Sequence, residues 1–324
     1  MESQGWLGLE RIEAPAATRE QLERVHAPEH VNAIQALSAG GGGMIDMDTA
    51  ASAGSFDAAL HSAGGAVDLV ERLIAGEAGF GFCALRPPGH HAERSRAMGF
   101  CLFNNVAVAA AHAISACGRE RVLIFDWDVH HGNGTEAIFT GSSQVLYVSI
   151  HQWPLYPGTG AAQYAGEGAG EGYTINLPVP PGSGSEDFLA LVDDVVVPAG
   201  HAFQPGLLAI SAGYDAHRDD PLADCMLDTE GFDVDCAANG QEALDHLRRA
   251  PLPDLILLDL MMPVMDGWEF RREQVRDAAL APIPVVVLSA AGNVRQQAAS
   301  LHATDYLSKP IEMDDLLSAV RRHC

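Results

Sequence analysis

Three short apolar runs, Val122–Phe125, Val145–Ile150 and Leu207–Ser211, constrain the fold of this chain more than any other feature. Each is strand-sized and continuous, and each passes at once into polar or ionisable residues. Such runs read as buried strands of a parallel sheet. In open α/β sheets, sites form beyond the carboxyl ends of such strands. Helical spacing appears nearby. Ser55 to Ala75 places Phe56, Ala59, Leu60, Ala63, Val67, Val70 and Ile74 on one face, and Asn104 to Ala116 is a second apolar helix. Ser185 is expected to cap a helix running towards Val197, with Glu186 and Asp187 in its first turn. Gly40–Gly43 reads as a flexible surface loop, and Gly158 to Gly172 as a second loop.

After Phe232 the texture changes. Asn239 is placed to cap a helix over Gly240–Arg249. Strand-like runs at Leu255–Leu258, Val285–Leu288 and Tyr306–Leu307 end at Asp259, Ser289 and Ser308-Lys309-Pro310, and a helix is expected over Glu312–Arg322. A length of 324 residues suits two domains, expected at 1–232 and 233–324.

Charge narrows the function. Lys+Arg number 19 against 43 Asp+Glu, a net of −24, so a nucleic-acid binder that works by neutralising phosphates is excluded. Docking on an anionic membrane is disfavoured for the same reason. Residues 231–324 hold 9 basic and 14 acidic groups, so −19 of the net charge precedes them. An acidic domain suits a cationic substrate. Lys309 is the single lysine. No apolar stretch is long enough to span a membrane, and the N-terminus has no signal-peptide pattern. The six cysteines form no CxxC pair and read as thiols of a reducing compartment, so a cytoplasmic location is expected.

Asp126-Trp127-Asp128-Val129-His130-His131-Gly132-Asn133-Gly134 leaves the first apolar run. On an extended backbone Asp126, Asp128 and His130 share a face. A carboxylate and an imidazole are suitable zinc ligands, and Asp215, beyond the third run, is a natural third. Arg86-Pro87-Pro88-Gly89-His90-His91 puts tandem histidines after a stiff turn, a pairing suited to acid–base work. The other histidines, His26 among them, read as core or surface residues.

RPPGHH (86–91), GFCLFNN (99–105), DWDVHHGNG (126–134), HQWPLYPGTG (151–160) and SAGYDAHRDDPL (211–222) resemble the zinc-dependent histone deacetylase family, in its bacterial, class II-like variety close to acetylpolyamine amidohydrolases. The resemblance covers about residues 7 to 232. It implies an arginase-like α/β fold with a parallel sheet, acting on acetyl-lysine or acetylated polyamines. It implies Asp128, His130 and Asp215 as zinc ligands, His91 as general base, and His90, bonded to Asp126, as the group that protonates the leaving amine. Asn133 stands where some relatives have Asp, and an amide there orients His91 without raising its basicity as a carboxylate would. Gly99, Phe100 and Tyr156 would wall a narrow channel. Asp126, Ser149 and the backbone of Asp128, His130 and Ile150 match a structural potassium site.

The later segment Asp254–Gly267, with Asp259 just past a strand, Ser289 ending the next and Lys309-Pro310 the last, resembles the response-regulator receiver family over about residues 228 to 324. A carboxylate, a hydroxyl and an ammonium on adjacent strand ends can hold a phosphoryl group. The resemblance implies a flavodoxin-like fold, Asp259 as phospho-acceptor, Ser289 and Tyr306 as switch residues, Lys309 as phosphate partner, magnesium as cofactor and a histidine kinase as partner.

Both patterns are expected to be incomplete. The deacetylase pattern normally opens with a strand and a His-Pro-Glu-Arg segment. It normally continues past the Thr-Glu-Gly-Phe motif, here 229–232, to a glycine-rich loop with an oxyanion-stabilising tyrosine. After Phe232 the only tyrosine is Tyr306. A missing donor of that kind costs on the order of 100- to 1000-fold in rate. The receiver pattern normally opens with a strand ending in a magnesium-binding acidic pair. Asp219-Asp220 mimics that pair but stands in the wrong context. Glu230-Gly231-Phe232 fits both patterns, so the two are expected to be spliced there without a linker.

Overall fold

The computed structural model describes residues 10–228, 237, 239–248, 252–253, 255–262, 264–289, 294–309, 319 and 322. The chain forms two compact units, Ile12–Asp233, and Val234–Cys324 with Met1–Arg11. The junction motif at 229–232 lies outside the described residues, as does the expected helix over 312–322 save Ala319 and Arg322.

The first unit opens with α1 (Arg19–Glu23), α2 (Pro28–Ala39), β1 (Gly42–Met44), β2 (Ala50–Ser52), α3 (Ser55–Ile74) and α4 (Asn105–Ser115). It continues through β3 (Val122–Asp126), α5 (Asn133–Phe139), β4 (Val145–Gln152), β5 (Thr174–Val179), α6 (Ser185–Leu191), α7 (Val197–Phe203) and β6 (Leu207–Ser211). The main sheet is parallel, in the order β5-β4-β3-β6. Alternate side chains of its inner strands enter different cores, as the two-residue period of a strand dictates. Val122, Ile124, Val145 and Tyr147 pack against Val70 of α3 and Ala109, Ala110 and Ala113 of α4. Leu123, Phe125, Leu146, Val148 and Ile150 pack with Phe188, Val196 and Phe203 on the other side. Asp126 and Ser211, the last residues of β3 and β6, lie level with each other and with Ser149 of β4, so β3 and β6 deliver their following loops at one height, while β4 runs on to Gln152.

Four local expectations need correction. Leu207–Ser211 is a strand but only half-buried: Leu208 and Ile210 are 49% and 44% exposed. Among the described residues β6 pairs with β3 alone. Ser185 is not the cap. Gly184 precedes the helix, its N–H donates to Asp187, and the Ser185 hydroxyl is bonded to Asp228. The helix does not stop near Val197. A wider turn over Val192–Val196 carries it into α7, which ends at Gln204 in the left-handed region. Gly40–Gly43 is not a free loop. Gly40 caps α2, and Gly42 and Gly43 pair with Ser52 and Ala51 in the β1–β2 hairpin.

The second unit holds α8 (Gly240–Leu247), β7 (Ile256–Asp259), α9 (Gly267–Arg276), β8 (Val285–Ser289), α10 (Val294–Ser300) and β9 (Asp305–Ser308). Its sheet is parallel, ordered β7-β8-β9. Asn239 and Asp266 cap α8 and α9 through the N–H groups of Glu242 (3.0 Å) and Glu269 (2.8 Å). Leu258, Phe270, Val285, Val287 and Leu301 form its core.

Among the described residues Cys83, Cys101, Cys117 and Cys225 are free thiols, and no helix is long and apolar enough to cross a membrane.

Candidate active site

The loop after β3 doubles back on its own hydrogen bonds. Asp126 accepts from the N–H of Asp128 (3.2 Å), and Asp128 accepts from the N–H of His130 (2.8 Å). Asp215, four residues beyond β6, accepts from the N–H of Val129 (3.0 Å). These bonds bring Asp128, His130 and Asp215 together, with one potential ligand atom from each within 4.8 Å of the others. Nδ1 of His130 faces both carboxylates, at 3.1 Å from Asp128 and 2.9 Å from Asp215. One N–H cannot point straight at both oxygens, whereas a cation between the three atoms satisfies all of them. One nitrogen and two oxygens also form a donor set suited to zinc. Burial disfavours an imidazolium, yet the two carboxylates raise His130 to about 10. Burial opposes charge on Asp128 as well, but His90 and His130 hold it well below the usual carboxylate range. Asp215 is pushed up by burial and by Asp128.

His90 and His91 stand side by side, with ring centroids 4.0 Å apart. Nδ1 of His90 donates to the fully buried Asp126 (3.0 Å), and its Nε2 lies 3.8 Å from Asp128. Nδ1 of His91 donates to Oδ1 of Asn133 (2.8 Å). The two rings diverge in basicity. Burial alone would lower His90, but Asp128 and Asp126 raise it to about 9. His91 is lowered to about 3 by burial and by the charge of His90. Gly99, at φ +56°, packs on His91 so closely that an added Cβ would sit 2.3 Å from the ring. Phe100 is 55% exposed, and its N–H donates to Thr49 (3.1 Å). The Tyr156 ring stands edge-on to His91 at 5.1 Å, and burial with Asp48 and Asp46 pushes its hydroxyl up to about 12. Ser149 is buried, bonds the His151 ring (2.9 Å) and lies level with Asp126; Ile150 follows it in the core.

The sequence reading missed several residues that hold this arrangement. Asn104 caps α4 through the N–H of Ala107, and its amide donates to Ala92 O and Thr135, pinning the histidine loop from behind. Glu93 accepts from Asn133. Gly213 lies against Asp128, where an added Cβ would come within 2.2 Å of Oδ2. The two asparagines closing GFCLFNN and the glycine before YDAH were the available signals.

In the second unit, Asp259 and Lys309 form an ion pair (2.5 Å) at the carboxyl ends of β7 and β9. Burial works against the Asp259 charge, but Lys309 and the N–H of Met261 lower its carboxyl below the usual range. Ser289, buried at the end of β8, donates to Gln297 of α10 (3.0 Å), and Tyr306 is 36% exposed on β9. Among the described residues no group of three potential metal-ligating side chains occurs there. Asp220 is engaged locally, accepting from the N–H of Leu222 (2.9 Å).

The histone deacetylase domain model matches residues 1–244, and the response regulator receiver domain model matches residues 221–321. The chain therefore belongs to the histone deacetylase family and carries a receiver domain. It is 42% identical over 221 residues to a probable deacetylase of Archaeoglobus fulgidus, covering 68% of this chain and 61% of that protein. It is 41% identical over 225 residues to the histone deacetylase-like amidohydrolase of Pseudomonas aeruginosa, covering 69% and 59%. The crystal structure of the HDA15 HD domain superposes with a TM-score of 0.67 at 42% identity, covering 73% of this chain and 68% of that one. The chain thus spans about three fifths of the length of these two curated relatives. Both family expectations and the α/β fold class hold.

Proposed function

We propose that the first unit is a zinc-dependent hydrolase that removes acetyl groups from acetyl-lysine or an acetylated polyamine. The observation that carries this is a pair of adjacent buried imidazoles, His90 bonded to Asp126 and His91 to Asn133, beside a cluster of three potential metal ligands. Asp128, His130 and Asp215 would hold zinc, and the chemistry supplied there is Lewis-acid polarisation of an amide carbonyl. His91, kept neutral with its proton on Nδ1, offers Nε2 as the base that takes a proton from the attacking water. His90, bonded through Nδ1 to the buried Asp126, gives a proton to the departing amine. Two like groups with opposed basicity divide acid and base roles in this way. Gly99, Phe100 and Tyr156 wall the approach, and the surplus of acidic groups favours a cationic substrate. Asp126, Ser149 and the backbone of Asp128, His130 and Ile150 would hold a structural potassium ion, as the family resemblance implies. No tyrosine lies between Tyr214 and Tyr306, so turnover on the order of 100- to 1000-fold below a full oxyanion site is expected.

Metal analysis and a fluorogenic acetyl-lysine assay on zinc-loaded protein test the reading. The expected result is about one zinc per chain and a turnover that Asp128→Ala abolishes. Bound zinc with no turnover would leave an inactive scaffold, and turnover unchanged by Asp128→Ala would show that the activity does not come from this site. A second reading, phosphorelay signalling with a histidine kinase, is favoured by the Asp259–Lys309 pair, with Asp259 as acceptor and Ser289 and Tyr306 as switch residues.

A further inference from the structure

We propose that Glu93 is a positioning residue that, through Asn133, fixes the orientation and tautomer of the His91 ring. The proposal rests on the hydrolase reading for its consequence, but on geometry for its substance. Asn133 is buried, at 7% exposure, between His91 and Glu93. Its Oδ1 accepts from Nδ1 of His91 (2.8 Å), and its Nδ2 donates to Oε1 of Glu93 (2.8 Å). An amide can be turned end for end at almost no steric cost, and its neighbours decide which end goes where. An ionised carboxylate only accepts. The other groups around Nδ2 are acceptors too, Met98 Sδ at 3.4 Å and His91 O at 3.5 Å. Turning the amide over would set its oxygen against a carboxylate oxygen at hydrogen-bond distance. It would also present an N–H to Nδ1 of His91, and the ring proton would have to move to Nε2. That is the nitrogen the hydrolase reading needs unprotonated.

Glu93 is itself held in place. Its N–H donates to Arg96 O (2.9 Å), and its backbone oxygen accepts from Nδ1 of the buried His26 (3.0 Å). The other nitrogen of His26 accepts from the N–H of Asn104 (2.9 Å). The carboxylate therefore lies on a fixed segment one residue beyond Ala92, and acts on His91 only through the amide. It restores at one remove the directing effect of a carboxylate directly behind the histidine.

The test is nitrogen NMR of the histidine rings in selectively labelled full-length protein, with His91→Gln used to assign the His91 signals. The parent is expected to show a single His91 tautomer with the proton on Nδ1. Glu93→Gln, of equal size but able to donate or accept, is expected to show a mixture. It should also lower kcat by about 10- to 100-fold, the range seen when a partner behind a functional histidine is removed, with KM and zinc content unchanged. Asn133→Asp alone sets two carboxylates together and should be at least as damaging. The pair Glu93→Gln with Asn133→Asp lets Gln donate to Asp and Asp accept from His91. It should restore the single tautomer and bring kcat to within about threefold of the parent. A merely structural Glu93 predicts a double variant no better than the worse single one. A single Nδ1–H tautomer retained in a folded Glu93→Gln protein overturns the proposal whether or not the protein hydrolyses anything. A mixed tautomer in a protein without turnover upholds the proposal and removes the hydrolase reading instead.

Discussion

Gly213 has no side chain to offer a metal, yet Gly213→Ala is expected to weaken the candidate cation site severely. An added Cβ would lie 2.2 Å from Oδ2, 2.6 Å from Cγ and 2.7 Å from Cα of Asp128, against an ordinary contact of 3.4–4 Å. Because the Asp128 backbone is among the atoms struck, turning the carboxylate aside gives no relief. The segments after β3 and β6 must part by roughly 1 Å. Metal–ligand distances tolerate about 0.2 Å, so Asp215 and Asp128 can no longer serve one ion together. We expect zinc affinity to fall by about 100-fold, the upper part of the range for disturbed support of ligands. At free zinc of about 100 times the parent Kd, the parent gains about 2.7 kcal/mol of stability, and a variant 100-fold weaker gains only about 0.4 kcal/mol. Competition against a chromophoric chelator, with thermal unfolding with and without zinc, measures both quantities. Gly79→Ala is the control, since its Cβ would meet nothing within 4 Å. A folded Gly213→Ala protein with parental zinc affinity would refute the steric argument, and with it the convergence of Asp128 and Asp215 on one ion.

Three further outcomes are expected. Burial, with His30 beside it, lowers His26 to about 4 from 6.5. The unfolded chain therefore binds a proton that the folded one refuses between those values. Stability is then full above about pH 6.5 and is lost as pH falls towards 4, by on the order of 3 kcal/mol for this residue; denaturation across that window, with an unchanged slope in His26→Gln, would contradict it. Acid-labile phosphate from a small phosphodonor should appear on the parent and vanish in Asp259→Asn, and an unlabelled parent would remove Asp259 as acceptor. Leu208→Lys on the half-exposed face of β6 should reduce concentration-dependent light scattering, because an apolar strand at a sheet margin invites pairing with other chains; equal scattering would count against that route.

Much of the site was legible because its chemistry is concentrated at strand ends. An apolar run followed by Asp-Trp-Asp-Val-His fixes the strand and the loop that carries the ligands, but not the extended alternation expected of it, because β3 ends at Asp126 and the loop folds back through the N–H groups of Asp128 and His130. Partners set by tertiary approach were not legible. Glu93 and Asn133 lie 40 residues apart, and neither stands in a periodic pattern that would pair them. Ser185 reads as a cap by type, but the competing bond to Asp228 can be seen only once the two segments meet. The exposure of Leu208 and Ile210 was equally hidden, since a run of apolar residues looks alike whether one or two strands flank it.

The position of β6 at the sheet margin links occupancy of the site to local opening. Among the described residues the strand is hydrogen-bonded to β3 alone. Just beyond it Asp215 is tied to Val129 and His130. An ion held by Asp128, His130 and Asp215 fastens the end of the strand to its neighbour, so freeing the strand then requires releasing the ion. Amide hydrogen exchange along Leu207–Ser211 should therefore slow with metal loading while the buried β4 stays unchanged, making the margin of the sheet a gauge of what the active site holds.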